Sequence, residues 1–308
     1  MENFLTIAEK IFVLFALMMT GFALGKLKLI EPAGESVLAN ISLFISVPSV
    51  IIMSFQRDFD RSLLNGLLLT ALIIAGVLIF GILVSHFAIR GDTPGKRGVL
   101  KYAAIFPNLG FITLPIVHTL YGAEGVFYVS VCIVICTMLY WTYGYYIMSN
   151  SSEKLPLRKI LLNAGTVSMA VGLVLFLTST KLPEPVADIG SNLAALNTPL
   201  GMFVIGSLLS RSKISSLFKE KGIWVSAALR LLILPLCTVL FLMAFKITGL
   251  ASVICVIASC APAALTTAMF AVRFKHDEEP AAKIVAVQTV LSLITMPFFI
   301  YFAQAALS

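Results

Sequence analysis

Charge is scarce in this sequence. Asp, Glu, Lys and Arg make up 12% of its 308 residues, about half of the roughly 25% carried by soluble domains. With 59% hydrophobic residues and a mean hydropathy of +1.00, such a chain precipitates from water unless lipid is its solvent. Carboxylates are rarer still: all 15 acids fall in termini, loops or the edges of apolar runs. That placement removes most of the groups an intramembrane enzyme needs, and also the membrane carboxylate on which proton and sodium coupling usually rely. The five cysteines, Cys132, Cys136, Cys237, Cys255 and Cys260, form no C-x-x-C pair and no zinc-spaced cluster with the three histidines. They read as small packing residues inside apolar runs, so neither a metal nor a cofactor is expected. A secretory leader is not expected either, because Met1-Glu2-Asn3 lacks a positive n-region and no small-residue cleavage site follows the first apolar stretch.

Long charge-free runs are what the sequence has in abundance. A bilayer core needs about 20 apolar residues per helix, and such runs occupy 36–56, 62–85, 125–152, 160–180, 189–210, 247–272 and 284–308. Segments 102–123, with His118, and 222–245, with Arg230, hold one ionisable group each, and 6–25 carries Glu9 and Lys10 near its outer end. The expectation is an all-α membrane protein of ten transmembrane helices. The net charge of +7 then follows from topology rather than from nucleic-acid binding. With ten spans, sixteen of the 22 basic residues fall in loops on one side and five on the other, Arg230 lying within a span. Positive loops stay in the cytoplasm, so both termini are expected outside, in a multi-pass protein of the plasma membrane.

The halves of the chain echo each other. Glu31-Pro32 recurs as Glu184-Pro185, Asn40 and Pro48 as Asn192 and Pro199, Pro107 as Pro262 and Glu124 as Glu279, at offsets of 151 to 155. An ordered series of this kind indicates two repeats, 1–149 and 159–308, joined by a cytoplasmic linker at 150–158. Five spans per repeat force the second copy to insert upside down, and inverted repeats are a mark of secondary transporters. The longest loops, around 90–99 and 273–280, run to about a dozen residues and leave no room for a soluble domain.

A continuous helix satisfies its own backbone, whereas a broken one frees N–H and C=O groups that are tolerable at membrane depth only where they line a cavity. Proline breaks helices, and spans four and nine carry prolines at matching positions. Pro107 lies some eight residues from a helix start expected near Val99, about 12 Å deep at 1.5 Å per residue. Pro262 lies some twelve residues from the outer start of its span, about 18 Å deep. Two interruptions at similar depth predict crossed broken helices, with half-helix N-termini offering N–H groups and positive dipole ends to a carboxylate. The candidate substrate residues are Pro107, Asn108, Gly110, Pro262, Ala263, Thr266 and Thr267, together with Arg230. For Arg230 two readings stand side by side: attraction of an anion, or a side chain snorkelling to cytoplasmic headgroups. Thr113, His118, Gln288 and Ser292 are candidates for a coupling proton or sodium ion, though helix–helix hydrogen bonding explains Thr113, Gln288 and Ser292 as well.

These stretches resemble the auxin efflux carrier family, which includes plant PIN-type auxin exporters and bacterial malate and malonate permeases. The resemblance rests on Gly21-Phe22-Ala23-Leu24-Gly25-Lys26, Pro107-Asn108-Leu109-Gly110-Phe111 through Pro115, Tyr121-Gly122-Ala123-Glu124-Gly125, Arg230-Leu231-Leu232-Ile233-Leu234-Pro235 and Ala261-Pro262-Ala263, and extends to Pro297. It implies that helices four and nine cross as in sodium/proton antiporters and bile-acid symporters, that Pro107, Asn108 and Pro262 are the crossing residues, and that Asn108 touches substrate. It also implies a scaffold of spans 1, 2, 6 and 7 and a transport domain of spans 3–5 and 8–10. The chain departs from the family pattern at the start of span six, where Asn163-Ala164 replaces Asn-Pro.

The function expected is a secondary active transporter or facilitator of a small organic anion by alternating access, with the bilayer as surroundings and a homodimer as the expected assembly. Malate, malonate and an indole acid fit the site equally well. A passive anion channel is the alternative, since broken helices also line pores; an intramembrane enzyme lacks its catalytic acids, and a heptahelical receptor fails on helix count.

Overall fold

The computed structural model describes residues 4–90, 93–149, 162–211, 220–274 and 278–307, so the expected linker at 150–158 lies outside the described residues. Among the described residues the structure is helical and contains no strand. The helices are α1 (Phe4–Lys26), α2 (Pro32–Ser54), α3 (Arg61–Ala88), α4 (Pro94–Ile105), α5 (Leu109–Met148), α6 (Ala164–Leu177), α7 (Glu184–Arg211), α8 (Lys221–Ala244), α9 (Leu250–Cys260), α10 (Thr266–Arg273) and α11 (Glu278–Leu307). Among the described residues, six stretches are long and apolar enough to cross a membrane: α2, α3, α5, α7, α8 and Pro280–Leu307 of α11. Their surfaces agree with that. Leu68, Leu72, Ile79, Leu83 and Phe87 form an exposed stripe along α3, and Ile294 and Phe298 stand 77% and 62% exposed on α11. Water penalises such stripes, and lipid does not.

Five of the prolines shape these helices in one of two ways. In α2, α5 and α8, five residues wind as a π-helix, at Ser42–Ser46, Leu109–Thr113 and Leu229–Ile233. Pro48, Pro115 and Pro235 each follow at the second position after the π segment. A proline's ring collides with the carbonyl four residues back, and the wider π turn moves that carbonyl aside. Pro107 and Pro262 are not absorbed in this manner. The residues before them, Phe106 (φ −99, ψ 116) and Ala261 (φ −66, ψ 145), are extended, the conformation that a following proline imposes, and α4 and α9 stop there. The start of α4 differs from the expected Val99. Pro94 occupies its first turn after an extended Thr93, a position for which proline's fixed φ is preset; the basic residues between 94 and 101 hide this start from an apolar-run reading.

Gly122 divides α5 with φ 58 and ψ −148, a region essentially closed to residues with a Cβ. At the head of α6, Asn163 is the N-cap: its Oδ1 accepts from Thr166 N–H at 2.9 Å. The family's proline would stand at the next position, where Ala164 begins the helix without it.

The chain forms two compact units. One comprises Met1–Ala71, Gly110–Val134 and Leu161–Arg211. In it α1 and α7 approach so closely that a Cβ on Gly206 would meet the Met18 carbonyl oxygen and lie 2.6 Å from Phe22 N. Phe55, Phe127 and Phe176 cluster with ring centroids 4.6 to 6.3 Å apart, and the Arg57 guanidinium lies 5.1 Å from the Phe127 ring centre. Glu35, placed by the sequence at a span edge, is buried and accepts from Ser207 Oγ and Arg211, joining α2 to α7. The other unit comprises Leu72–Leu109, Ile135–Ile160 and Ser212–Ser308, and both proline breaks belong to it.

Candidate functional site

The two breaks meet. Asn108 N–H donates to Pro262 O at 2.8 Å and Ala264 N–H donates to Phe106 O at 2.9 Å, forming an isolated antiparallel bridge between Pro107 and Ala263. Four helix ends converge on this junction: the C-termini of α4 and α9 and the N-termini of α5 and α10. Each proline frees backbone groups in an apolar interior, and the bridge satisfies part of that demand with groups from the other break.

Arg230 satisfies more of it. The side chain is fully buried, in the π segment of α8. Its Nε donates to Ala261 O at 2.7 Å, Nη1 to Ile105 O at 2.8 Å, and Nη2 to Ala258 O at 3.0 Å and Ser259 O at 2.9 Å. The acceptors are the terminal carbonyls of α4 and α9, where the helix dipoles place partial negative charge. Four of the five N–H bonds of the guanidinium are thereby used. The side chain does not snorkel to headgroups as one sequence reading has it: it turns inward and is bound by the carbonyls of two broken helices.

Neutral side chains complete the framework. Gln288 Oε1, on α11, accepts from Ala263 N–H at 2.9 Å, and its Nε2 donates to Ser226 Oγ at 3.3 Å. Ser226 Oγ in turn donates to Leu100 O at 2.8 Å. Tyr140 Oη donates to Pro107 O at 2.7 Å, and Tyr102 Oη to Thr266 Oγ1 at 2.9 Å. At the start of α10 the N–H groups of Leu265 and Thr266 meet no acceptor among the described residues. Thr267 Oγ1, on the same turn, is buried and has no partner among them.

Of the residues singled out by sequence, Pro107, Asn108, Pro262, Ala263, Thr266, Thr267, Arg230 and Gln288 share this unit, and the bonds above tie Pro107, Asn108, Pro262, Ala263, Thr266, Arg230 and Gln288 to the junction. Ser292 is in the same unit but donates within its own helix, to Thr289 O at 2.7 Å. Gly110, Thr113 and His118 belong to the other unit; Thr113 is buried and His118 is exposed. Gln288 Oε1, a candidate ion ligand, accepts a backbone N–H. Tyr102, Tyr140 and Ser226 were not anticipated. For the two tyrosines the sequence signal is a phenol inside or at the start of an apolar run, since a buried phenol seeks a partner; Ser226 carries none.

The sequence profile of a family described as membrane transport protein matches residues 6–300. An uncharacterized transporter of Methanothermobacter thermautotrophicus is 24% identical over 307 residues, covering 96% of this chain and 98% of that protein.

Proposed function

Since the chain belongs to the membrane transport protein family, the auxin efflux carrier family that its motifs resemble, we propose that it carries a small organic anion, a mono- or dicarboxylate, across the plasma membrane by alternating access. The observation that carries this reading is the junction itself, where two interrupted helices present polar groups in an apolar interior. The N-terminus of α10 offers unshared N–H groups beside the Thr267 hydroxyl, a setting suited to a carboxylate. Asn108 adds an amide able to donate and accept. Arg230 and Gln288 act on the anion through the backbone they hold.

Ten spans arranged as two inverted five-helix repeats fit this reading. Gly122 splits α5 into the end of span four and span five, while α4 and α9 supply the first halves of spans four and nine. The breaks at Pro107 and Pro262 lie 155 residues apart, close to half the chain. Spans 1, 2, 6 and 7 take the scaffold role and spans 3–5 and 8–10 the transport role, with both termini outside.

Purified protein in liposomes tests this with radiolabelled malonate and malate. A carrier gives saturable uptake stimulated by the same anion on the opposite face; unsaturable flux without that stimulation supports a channel. The bridge uses the Asn108 backbone, so Asn108→Ala leaves it standing. The variant is expected to melt as the parent does and to lose uptake, and parental uptake would remove Asn108 from the site.

A further inference from the structure

Transporters with broken helices hold their coupling cations on unwound carbonyls and on half-helix C-terminal ends. In this protein such carbonyls from two helices, Ile105 of α4 and Ala258, Ser259 and Ala261 at the end of α9, converge on one point, and the guanidinium of Arg230 occupies it at 2.7 to 3.0 Å. We propose that Arg230 is a tethered cation in a carbonyl cage that would otherwise hold an exchangeable one. The native protein then takes no sodium ion at these carbonyls, and deleting the side chain uncovers a monovalent-cation site that prefers guanidinium.

Three observations support this. The carbonyl lone pairs aimed at the cage are taken up by N–H donors, so a second cation would lack ligands and would sit against a fixed positive charge. Arg230 is fully buried, which requires that its charge be neutralised locally; the paired negative ends of α4 and α9 do so without a carboxylate. The planar fork of arginine reaches both helix ends at once, which a lysine ammonium cannot do with three donors from one point. The anion therefore meets a junction whose positive charge belongs to the protein and is not imported with it.

The test needs no organic anion, so its outcome is independent of the carboxylate reading. Detergent-purified parent, Arg230→Ala and Arg230→Lys are melted in choline chloride, sodium chloride and guanidinium chloride at equal concentrations of about 10 mM or 50 mM, in the range where a weak site fills. The parent should melt at one temperature in all three salts. Arg230→Ala should melt lower in choline and recover by about 3 °C or more in guanidinium, with a smaller recovery in sodium. Arg230→Lys should lie between parent and Ala variant and respond to none of the salts. A sodium-specific rise in the parent overturns the proposal, and so does an Arg230→Ala protein whose melting is the same in all three salts. If the Ala variant does not fold, the parent and the Lys variant still decide: a cation-specific rise in either shows the cage open to ions.

Discussion

Gln288 joins three helices with one neutral amide: its oxygen takes the Ala263 N–H and its nitrogen reaches Ser226, whose hydroxyl holds the Leu100 carbonyl. Gln288→Leu keeps the volume and removes both bonds, leaving a buried N–H without an acceptor at about 1–3 kcal/mol. The variant is expected to melt lower than the parent and to transport less, because Ala263 is half of the bridge. Gln288→Glu keeps the acceptor and should retain more stability than the leucine variant, a comparison that a thermal melt in detergent decides. If the two melt alike, the Ala263 bond is not what Gln288 contributes. The sequence marks Gln288 as a lone polar residue in an apolar run, but its partner lies 25 residues away and no spacing rule connects them. Arg230 was equally visible as the one charge inside a span, while its acceptors were not. Backbone carbonyls have no letter in a sequence, so a side chain that binds only backbone looks unpaired until the chain is folded.

At the scale of elements, five of the prolines sort themselves by what precedes them. Pro48, Pro115 and Pro235 are absorbed by π segments and their helices continue, whereas Pro107 and Pro262 end theirs. Sequence reading picked out the breaking pair because they recur at matched positions, not because the local residues differ visibly from those around the other three. The π segments escaped it altogether, since a five-residue widening leaves hydrophobic periodicity almost unchanged. Gly122 was likewise legible only as part of a family motif; the turn it makes needs φ 58 with ψ −148. A Cβ there would meet nothing within 4 Å, so Gly122→Ala isolates backbone strain from crowding. The expected cost is about 1–3 kcal/mol, read as a lowered melting temperature. An unchanged melt would mean that the helix runs through this position in the membrane-bound protein.

At the scale of the whole molecule, scarcity of charge identified the solvent, and the distribution of the few charges gave a topology. Apolar content and family membership establish a multi-pass membrane protein. The side on which each loop lies is a prediction of the lysine and arginine bias, because basic residues resist translocation whatever the helices pack against. That bias places Thr180, in the loop between α6 and α7, outside and Lys221, at the head of α8, in the cytoplasm. Both positions are exposed. Among the native cysteines, Cys132, Cys136, Cys255 and Cys260 are buried and Cys237 is partly so, so the parent gives a low background with a membrane-impermeant maleimide. Thr180→Cys should label in intact cells, and Lys221→Cys only after permeabilisation. The reverse pattern would invert the orientation while leaving the span count intact. Labelling of both from outside would break the alternation that an odd number of spans per repeat requires, and with it the upside-down relation between the halves. In the proposed alternating-access mechanism that relation would let one junction of two like helices face either side of the membrane in turn, so the labelling experiment bears on the proposal as directly as a flux assay does.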